Sequence, residues 1–349
     1  MNKYYTRACN FYFGSTSKKN IKKKLSIPLN GNILISFDHV EIISRKNSKT
    51  INIKDIDKLP RNQKIKINKD LKKIKKNKTF KQLALSDIPI LMGIVNLTPD
   101  SFSDGGKYNN KNLASKHIKN LLSSGAKIID IGGESTRPGA SDVSSTKEWE
   151  RIKTVLKMLK NRKCFVSLDT RKSFVMRKAS KIKVDLINDV SGLDYDPQTI
   201  NFLKKSGKPF IIHHMKGTPK NMQIKPSYKN VLLDIYDFFE TKLKYIRKNG
   251  IKHNNIILDP GIGFGKNLKH NITLLKNISI FHSLGLPIML GLSRKRFIKD
   301  ISKENDTTER LGGTISSCIQ SYLQGVQILR VHDVKEISQA FKVFKKLQN

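Results

Sequence analysis

Acidic residues and cysteines are scarce in this chain of 349 residues, and long apolar runs are missing from it. The three cysteines, Cys9, Cys164 and Cys318, stand far apart, with no CxxC or Cys/His spacing among them. An odd, scattered set of this kind excludes a disulfide scaffold and a structural zinc site, and it points to a cytoplasmic protein. No apolar stretch approaches the roughly 20 residues that a membrane-spanning helix needs. Met1 to Asn20 holds basic residues but lacks the apolar core of a signal sequence, so neither secretion nor membrane insertion is expected. Only 28 Asp and Glu oppose 67 Lys and Arg, a formal net charge of +39. Such a charge invites a nucleic-acid reading, because Lys and Arg gain affinity by neutralising phosphates. Its distribution argues otherwise. Residues 1–86 carry 22 basic against 5 acidic side chains and residues 87–349 carry 45 against 23, so the excess is dense at the front and diffuse behind. Lys recurs with Ile and Asn, as in Lys22 to Lys24 and Lys64 to Lys78, which reads as compositional bias on solvated faces. No nucleic-acid or membrane partner is expected.

What is present divides the chain in two. Residues 1–86 form a basic extension in which Asn32 to Ser44 and Lys49 to Ile56 alternate apolar and polar residues around Lys46-Asn47-Ser48, as a β-hairpin would. Pro60 ends that element, and Arg61 to Lys81 is a Lys-rich tract readable as a surface helix or a mobile linker. From about residue 87 the pattern changes. Eight short apolar runs begin at Ile90, Lys127, Cys164, Asp185, Pro209, Asn255, Pro287 and Val326, and amphipathic stretches follow them, among them a helix expected over Leu268 to Leu284. Eight strand–helix pairs over this length fit a (β/α)₈ TIM barrel in number and span, with a doubly wound sheet as the alternative. The hairpin is then expected to plug the bottom of the barrel and to bury Ile33, Ile35, Phe37 and Val40.

In such a barrel the active site lies at the C-terminal ends of the strands, so the residues closing each run carry the chemistry. They are polar here. The runs end in Asn96, in Gly132 to Gly139, in Asp169, Asn188 and His213, in Asp259 to Lys266, in Ser293 to Lys295, and in Arg330 to Asp333. Carboxylates (Asp169, Asp259), amides (Asn96, Asn188) and cations (Lys295, Arg330, His332) suit a ligand that is a polar heterocycle at one end and an anion at the other. The cations follow runs seven and eight, where these barrels often bind phosphate. Neighbouring residues have plainer readings. His213 and His214 are adjacent on a strand and point to opposite faces, which argues against a metal pair. Asp189 and Arg294 read as structural partners, Glu134 and Asp104 as loop supports.

Asn96-Leu97-Thr98-Pro99-Asp100-Ser101-Phe102-Ser103-Asp104-Gly105-Gly106 and Gly132-Gly133-Glu134-Ser135-Thr136-Arg137-Pro138-Gly139 closely resemble the two signature loops of dihydropteroate synthases. The resemblance continues through Leu258 to Lys266, Gly291 to Lys295 and Arg330 to Val334, in the same order, and covers about residues 88–349. It implies a transferase of folate biosynthesis that joins p-aminobenzoate to the methylene of 6-hydroxymethyl-7,8-dihydropterin diphosphate and releases pyrophosphate. By the same resemblance Asp169, Asn188, Asp259 and Lys295 hold the pterin. Asn96, Arg330 and His332 hold the diphosphate, and Asn96 is also a ligand for Mg²⁺. Phe102, Thr136, Arg137, Pro138, Phe264, Ser293 and Lys295 shape the p-aminobenzoate site. His213 stands where many members carry a methionine packed on the pterin, which reads as a tuning change. A homodimer is expected from the family.

An aromatic amine is nucleophilic in its neutral form, so the reaction asks for loss of a leaving group more than for a general base. Asp169, Asp259, Lys295, Arg330 and His332 are therefore expected to act as preorganised electrostatics in a dissociative substitution. Two other classes are weighed against this: a pterin-binding barrel without the activity, or of methyltransferase type, and a basic nucleic-acid binder on a barrel scaffold. Neither would need the intact anion set together with both loops.

Overall fold

The computed structural model describes residues 3–78, 80, 83, 85, 88–98, 107–135 and 139–348, except for the side chains of 107–111. The chain opens with β1 (Tyr5–Phe13), α1 (Gly14–Lys22), β2 (Ile27–Leu29), β3 (Asn32–Ile43) and β4 (Ser48–Asn52). The expected hairpin is β3–β4, with His39 to Ile43 set antiparallel to Ser48 to Asn52. It belongs to a larger sheet. β3 also pairs with β1 from Ile35 to Ile43 and with the short β2 on its other edge. The Lys-rich tract is a helix, α2 (Arg61–Lys75), and Ile67, Leu71 and Ile74 at helical spacing bury one face of it.

The second part alternates strictly at first: β5 (Ile90–Asn96), α3 (Lys107–Ser123), β6 (Ile128–Gly132), α4 (Ser145–Leu159), β7 (Phe165–Asp169), α5 (Ser173–Ser180), β8 (Leu186–Asp189), α6 (Gln198–Ser206), β9 (Phe210–His213), α7 (Val231–Lys248), β10 (Ile256–Asp259) and α8 (Leu268–Lys276). After a 3₁₀ turn at Ile278–Leu284 come β11 (Met289–Gly291), α9 (Arg296–Ser302), α10 (Leu311–Tyr322), β12 (Ile328–Val331) and α11 (Val334–Gln348). The eight strands are parallel in the order β10-β9-β8-β7-β6-β5-β12-β11, and a bridge from Leu258 to Ile288 draws the end strands together. This is the TIM barrel expected from the sequence, and each expected apolar run contains one of its strands.

Alternation along the strands sorts the side chains. Leu91, Val95, Ile129, Ile131, Val166 and Leu168 face outward into the helix layer, whose apolar residues form one continuous core with the N-terminal sheet. Inward, a lower layer is apolar: Ile90, Met92, Ile128, Phe165, Leu186, Ile211, Ile257, Met289 and Ile328. Phe80 and Leu85 are buried with this layer, and Phe80 lies 6.4 Å from the Phe165 ring.

The floor of the barrel is thus closed by Phe80, Leu83 and Leu85, and not by the β3–β4 hairpin expected there. The N-terminal sheet covers the flank instead. Tyr5 packs edge-on to Tyr236 at 5.1 Å and donates to Asp237 at 2.9 Å, Ser279 donates to the Ala8 carbonyl at 3.0 Å, and Phe13 stacks on Tyr322 at 6.1 Å. Ile35, Phe37 and Val40 are buried as anticipated, but Ile33 is exposed. The β1 pairing stops at Ile35, so Ile33 overhangs its neighbour strand.

Candidate active site

The upper inward layer is polar because the strands end there. Asn96, Asp169, Asn188, His213, Asp259 and Arg330 occupy the last or penultimate positions of β5, β7, β8, β9, β10 and β12, and each follows an apolar inward residue two positions earlier or more. Asp169, Asn188, His213 and Asp259 are buried, while Asn96, Arg330 and His332 stay half-buried at the rim. One further carboxylate joins them. Asp130, inside β6, is wholly buried and was not anticipated, since it sits within an apolar run instead of closing one. The available signal was its charge: a carboxylate in a buried strand needs a partner in the barrel.

That partner is Arg330. Its Nε donates to Asp130 Oδ2 at 2.6 Å and its Nη2 to Asp169 Oδ2 at 2.8 Å. The Asn188 amide nitrogen donates to the same Asp130 oxygen at 3.2 Å. Burial works to lower the guanidinium pKa, but the Asp130 and Asp169 charges outweigh it and hold Arg330 above its ordinary value. Burial pushes the Asp169 carboxyl upward, against the pull of Arg330.

Across the cup, Asp259 Oδ1 accepts the Gly261 amide at 2.8 Å, and its Oδ2 lies 3.8 Å from His213 Nε2. Burial raises the Asp259 carboxyl to about 6, opposed by that amide and by Lys295, Arg330 and Lys266. His213 Nδ1 meets the Val190 carbonyl at 2.9 Å. A carbonyl only accepts, so the proton is on Nδ1 and the Nε2 lone pair faces the cup. Burial and the Lys266 charge keep this ring neutral by lowering its pKa well below the usual value. The ring meets Phe264 edge-on at 4.5 Å, and Lys295 Nζ stands 4.2 Å over the Phe264 face. Burial lowers the Lys295 ammonium to about 8.

This approach depends on Gly261, whose φ is +69° and whose position leaves no room for a side chain: a Cβ would lie 2.0 Å from the His214 carbonyl. His214 points the other way, as expected, and its Nδ1 is 2.9 Å from the buried Lys266 ammonium. Ser293 Oγ accepts from the His332 amide at 3.2 Å and donates to Asp333 at 3.3 Å, which fixes β11 against β12 at the rim. Arg294 pairs with Asp333 and Asp189 accepts from Ser191, so both have structural partners.

Phe102, Thr136, Arg137 and Pro138 lie outside the described residues. The ends of the second loop are described, and they are clamped. Glu134 is buried against Arg171 at 3.1 Å and Lys172 at 2.9 Å, Arg171 also grips Asp142 at 2.7 Å, and the Gly139 amide donates to Pro219. Glu134 therefore supports its loop from below.

The family model described as "Pterin binding enzyme" matches residues 92–332. The dihydropteroate synthase of Escherichia coli K12 is 41% identical over 256 residues, 73% of this chain and 90% of that protein. The chain belongs to the dihydropteroate synthase family. The Neisseria meningitidis serogroup B synthase is also 41% identical, over 75% of this chain and 93% of its own. Among solved structures, Yersinia pestis dihydropteroate synthase in complex with a sulfonamide drug superposes with a TM-score of 0.72 and 41% identity, covering 77% of this chain and 98% of that one. Xanthomonas albilineans dihydropteroate synthase with 4-aminobenzoic acid gives a TM-score of 0.71 at 36% identity, covering 76% and 95%. These synthases match about three quarters of the chain, and the family model begins at residue 92, beyond the N-terminal sheet.

Proposed function

We propose that the barrel mouth carries out the dihydropteroate synthase reaction by dissociative substitution, with the pterin on the carboxylate side and the diphosphate on the cation side. The activity is that of a transferase of folate biosynthesis. The observation that carries the assignment of roles is that two buried carboxylates, Asp169 and Asp259, share one cup with Arg330 and Lys295.

Asp259 and Asp169 accept N–H groups of the dihydropterin, and the pterin flank packs against His213. As the C–O bond to the diphosphate breaks, positive charge spreads from the methylene into the ring. Buried anions held at the ring edge stabilise that cation more than they stabilise the neutral substrate. Pyrophosphate leaves with the bonding pair, and Arg330 and His332 balance its growing charge. The neutral amine of p-aminobenzoate, held between Phe264, Ser293, Lys295 and the second loop, then forms the C–N bond and releases its proton. The half-buried Asn96 side chain at the end of β5 offers an amide oxygen, a hard donor of the kind Mg²⁺ takes, and would be the protein's ligand for an ion carried in on the diphosphate. When bound, the ion neutralises leaving-group charge. The assembly is proposed to be a homodimer, as in the family.

The test is formation of 7,8-dihydropteroate with stoichiometric pyrophosphate, dependent on both substrates and Mg²⁺. Failure of the purified chain to make either product from both substrates would refute the assignment.

A further inference from the structure

Asp130 lies one inward step below Asp169, since the register of β6 on β7 sets Asp130 opposite Ser167 and Gly132 opposite Asp169. Its Oδ2 accepts both Arg330 Nε and the Asn188 amide, while its Oδ1 is buried with no hydrogen-bond partner among the described residues. A buried carboxylate needs a counter-charge, and Arg330 is the cation in contact with it. The two acids that Arg330 touches are not equivalent. Asp169 closes its strand at the mouth, where the proposed reaction also assigns it to the pterin. Asp130 is sealed below.

We propose that Asp130 is a positioning residue, a fixed tether for Arg330. When the pterin takes the Asp169 carboxylate, the Nε edge stays on Asp130 and the Nη edge turns to the departing diphosphate. The same oxygen sets Asn188: its NH₂ is committed to Asp130, because a carboxylate only accepts, and its carbonyl oxygen is left to accept a ring N–H. This inference rests on the proposed reaction, and its test is chosen so that the two fail separately.

The experiment compares kcat for the unaltered chain, Asp130→Asn, Arg330→Ala and the double variant, with the thermal unfolding midpoint as the measure of an intact fold and calorimetric binding of diphosphate-free pterin as the readout of Asn188. Asp130→Asn is expected to lower kcat up to about 100-fold, the cost of misplacing a reacting group by on the order of 1 Å. In the double variant kcat at saturating substrate should stay within about twofold of Arg330→Ala alone, because the one task left to the carboxylate, holding the Asn188 amide, bears on pterin affinity and is read in the calorimetry. Losses that multiply would overturn the proposal. Arg330→Lys gives a second measurement in the presence of native Asp130. It keeps the charge and loses the second edge, so its kcat should fall nearly as far as in Arg330→Ala, and unchanged turnover would also overturn the tether. Absence of turnover in the unaltered chain would refute the reaction itself.

Discussion

Asp259 and Asp169 share a side chain and differ in what neutralises them: a backbone amide and distant cations for the first, the Arg330 guanidinium for the second. Asp259→Asn replaces one acceptor by a donor facing a donor. Pterin affinity should drop about 10- to 100-fold, the worth of a hydrogen bond to a charged group, while p-aminobenzoate binding to the remaining complex changes little. Calorimetry with diphosphate-free pterin checks this. The same carboxyl sets a pH dependence. Burial raises it to about 6, so it is protonated at pH 5 in the free protein and ionised at pH 7. Pterin affinity should therefore rise across that interval with a one-proton slope, and Asp259→Asn should flatten the profile. The stability contribution has the opposite sign. A folded-state pKa above the unfolded value of about 3.9 stabilises below pH ~4, and that contribution is lost as pH rises through about 6.

At the scale of elements, the strands were legible because six of the eight apolar runs carry a polar residue at or next to their end at the barrel mouth, where two-residue alternation aims it inward, and the other two end in glycine. Asp130 was not, because it interrupts a run instead of ending one. β1 was missed because Tyr5 to Phe13 has no clean alternation, and its partners in β3 run from Ile35, opposite Phe13, to Ile43, opposite Tyr5, beyond the reach of a local pattern. α9 is too short to show a helical period, and the helix expected over Leu268 to Leu284 breaks at Asn277 into α8 and a 3₁₀ turn. The loop after β10 carries the most exacting local demand. In Gly261→Ala a Cβ meets the His214 carbonyl in a left-handed conformation, so the segment bearing Phe264 must shift. The expected outcome is a stability loss of about 1–3 kcal/mol together with a raised KM for p-aminobenzoate, read from chemical denaturation and steady-state kinetics.

The molecule as a whole is a barrel wrapped on one flank by a sheet and closed below by a short segment, and these two parts of residues 1–86 do different jobs. Arg45 and Tyr5 fasten the sheet to Asp234 and Asp237 of α7, and Phe13 reaches Tyr322 of α10. Neither the flank packing nor the floor was readable from local pattern, since both depend on contacts between segments distant in sequence. A chain starting at residue 77 keeps Phe80, Leu83 and Leu85 and exposes only the flank. It should melt at lower temperature with near-normal KM values. A chain starting at residue 87 also uncovers the apolar floor and should be less stable still, by roughly 1.5–3 kcal/mol for each large side chain lost from cover. Equal melting temperatures for the two truncations would show that the floor segment adds nothing.

The central claim is that charge separates across the cup before the new bond forms, with the carboxylates on the cation and Arg330 on the pyrophosphate. Positional isotope exchange reads this directly. The chain is incubated with pterin diphosphate carrying ¹⁸O in the bridge to the methylene, with Mg²⁺ and without p-aminobenzoate, and the recovered substrate is examined by phosphorus NMR. Reversible C–O cleavage in the closed site predicts that the label moves from the bridge to non-bridging positions of the diphosphate, and that Arg330→Ala slows the exchange in step with turnover. A label that stays wholly in the bridge, under conditions where adding p-aminobenzoate gives rapid product formation, would contradict the dissociative account and require attack by the amine as the C–O bond breaks.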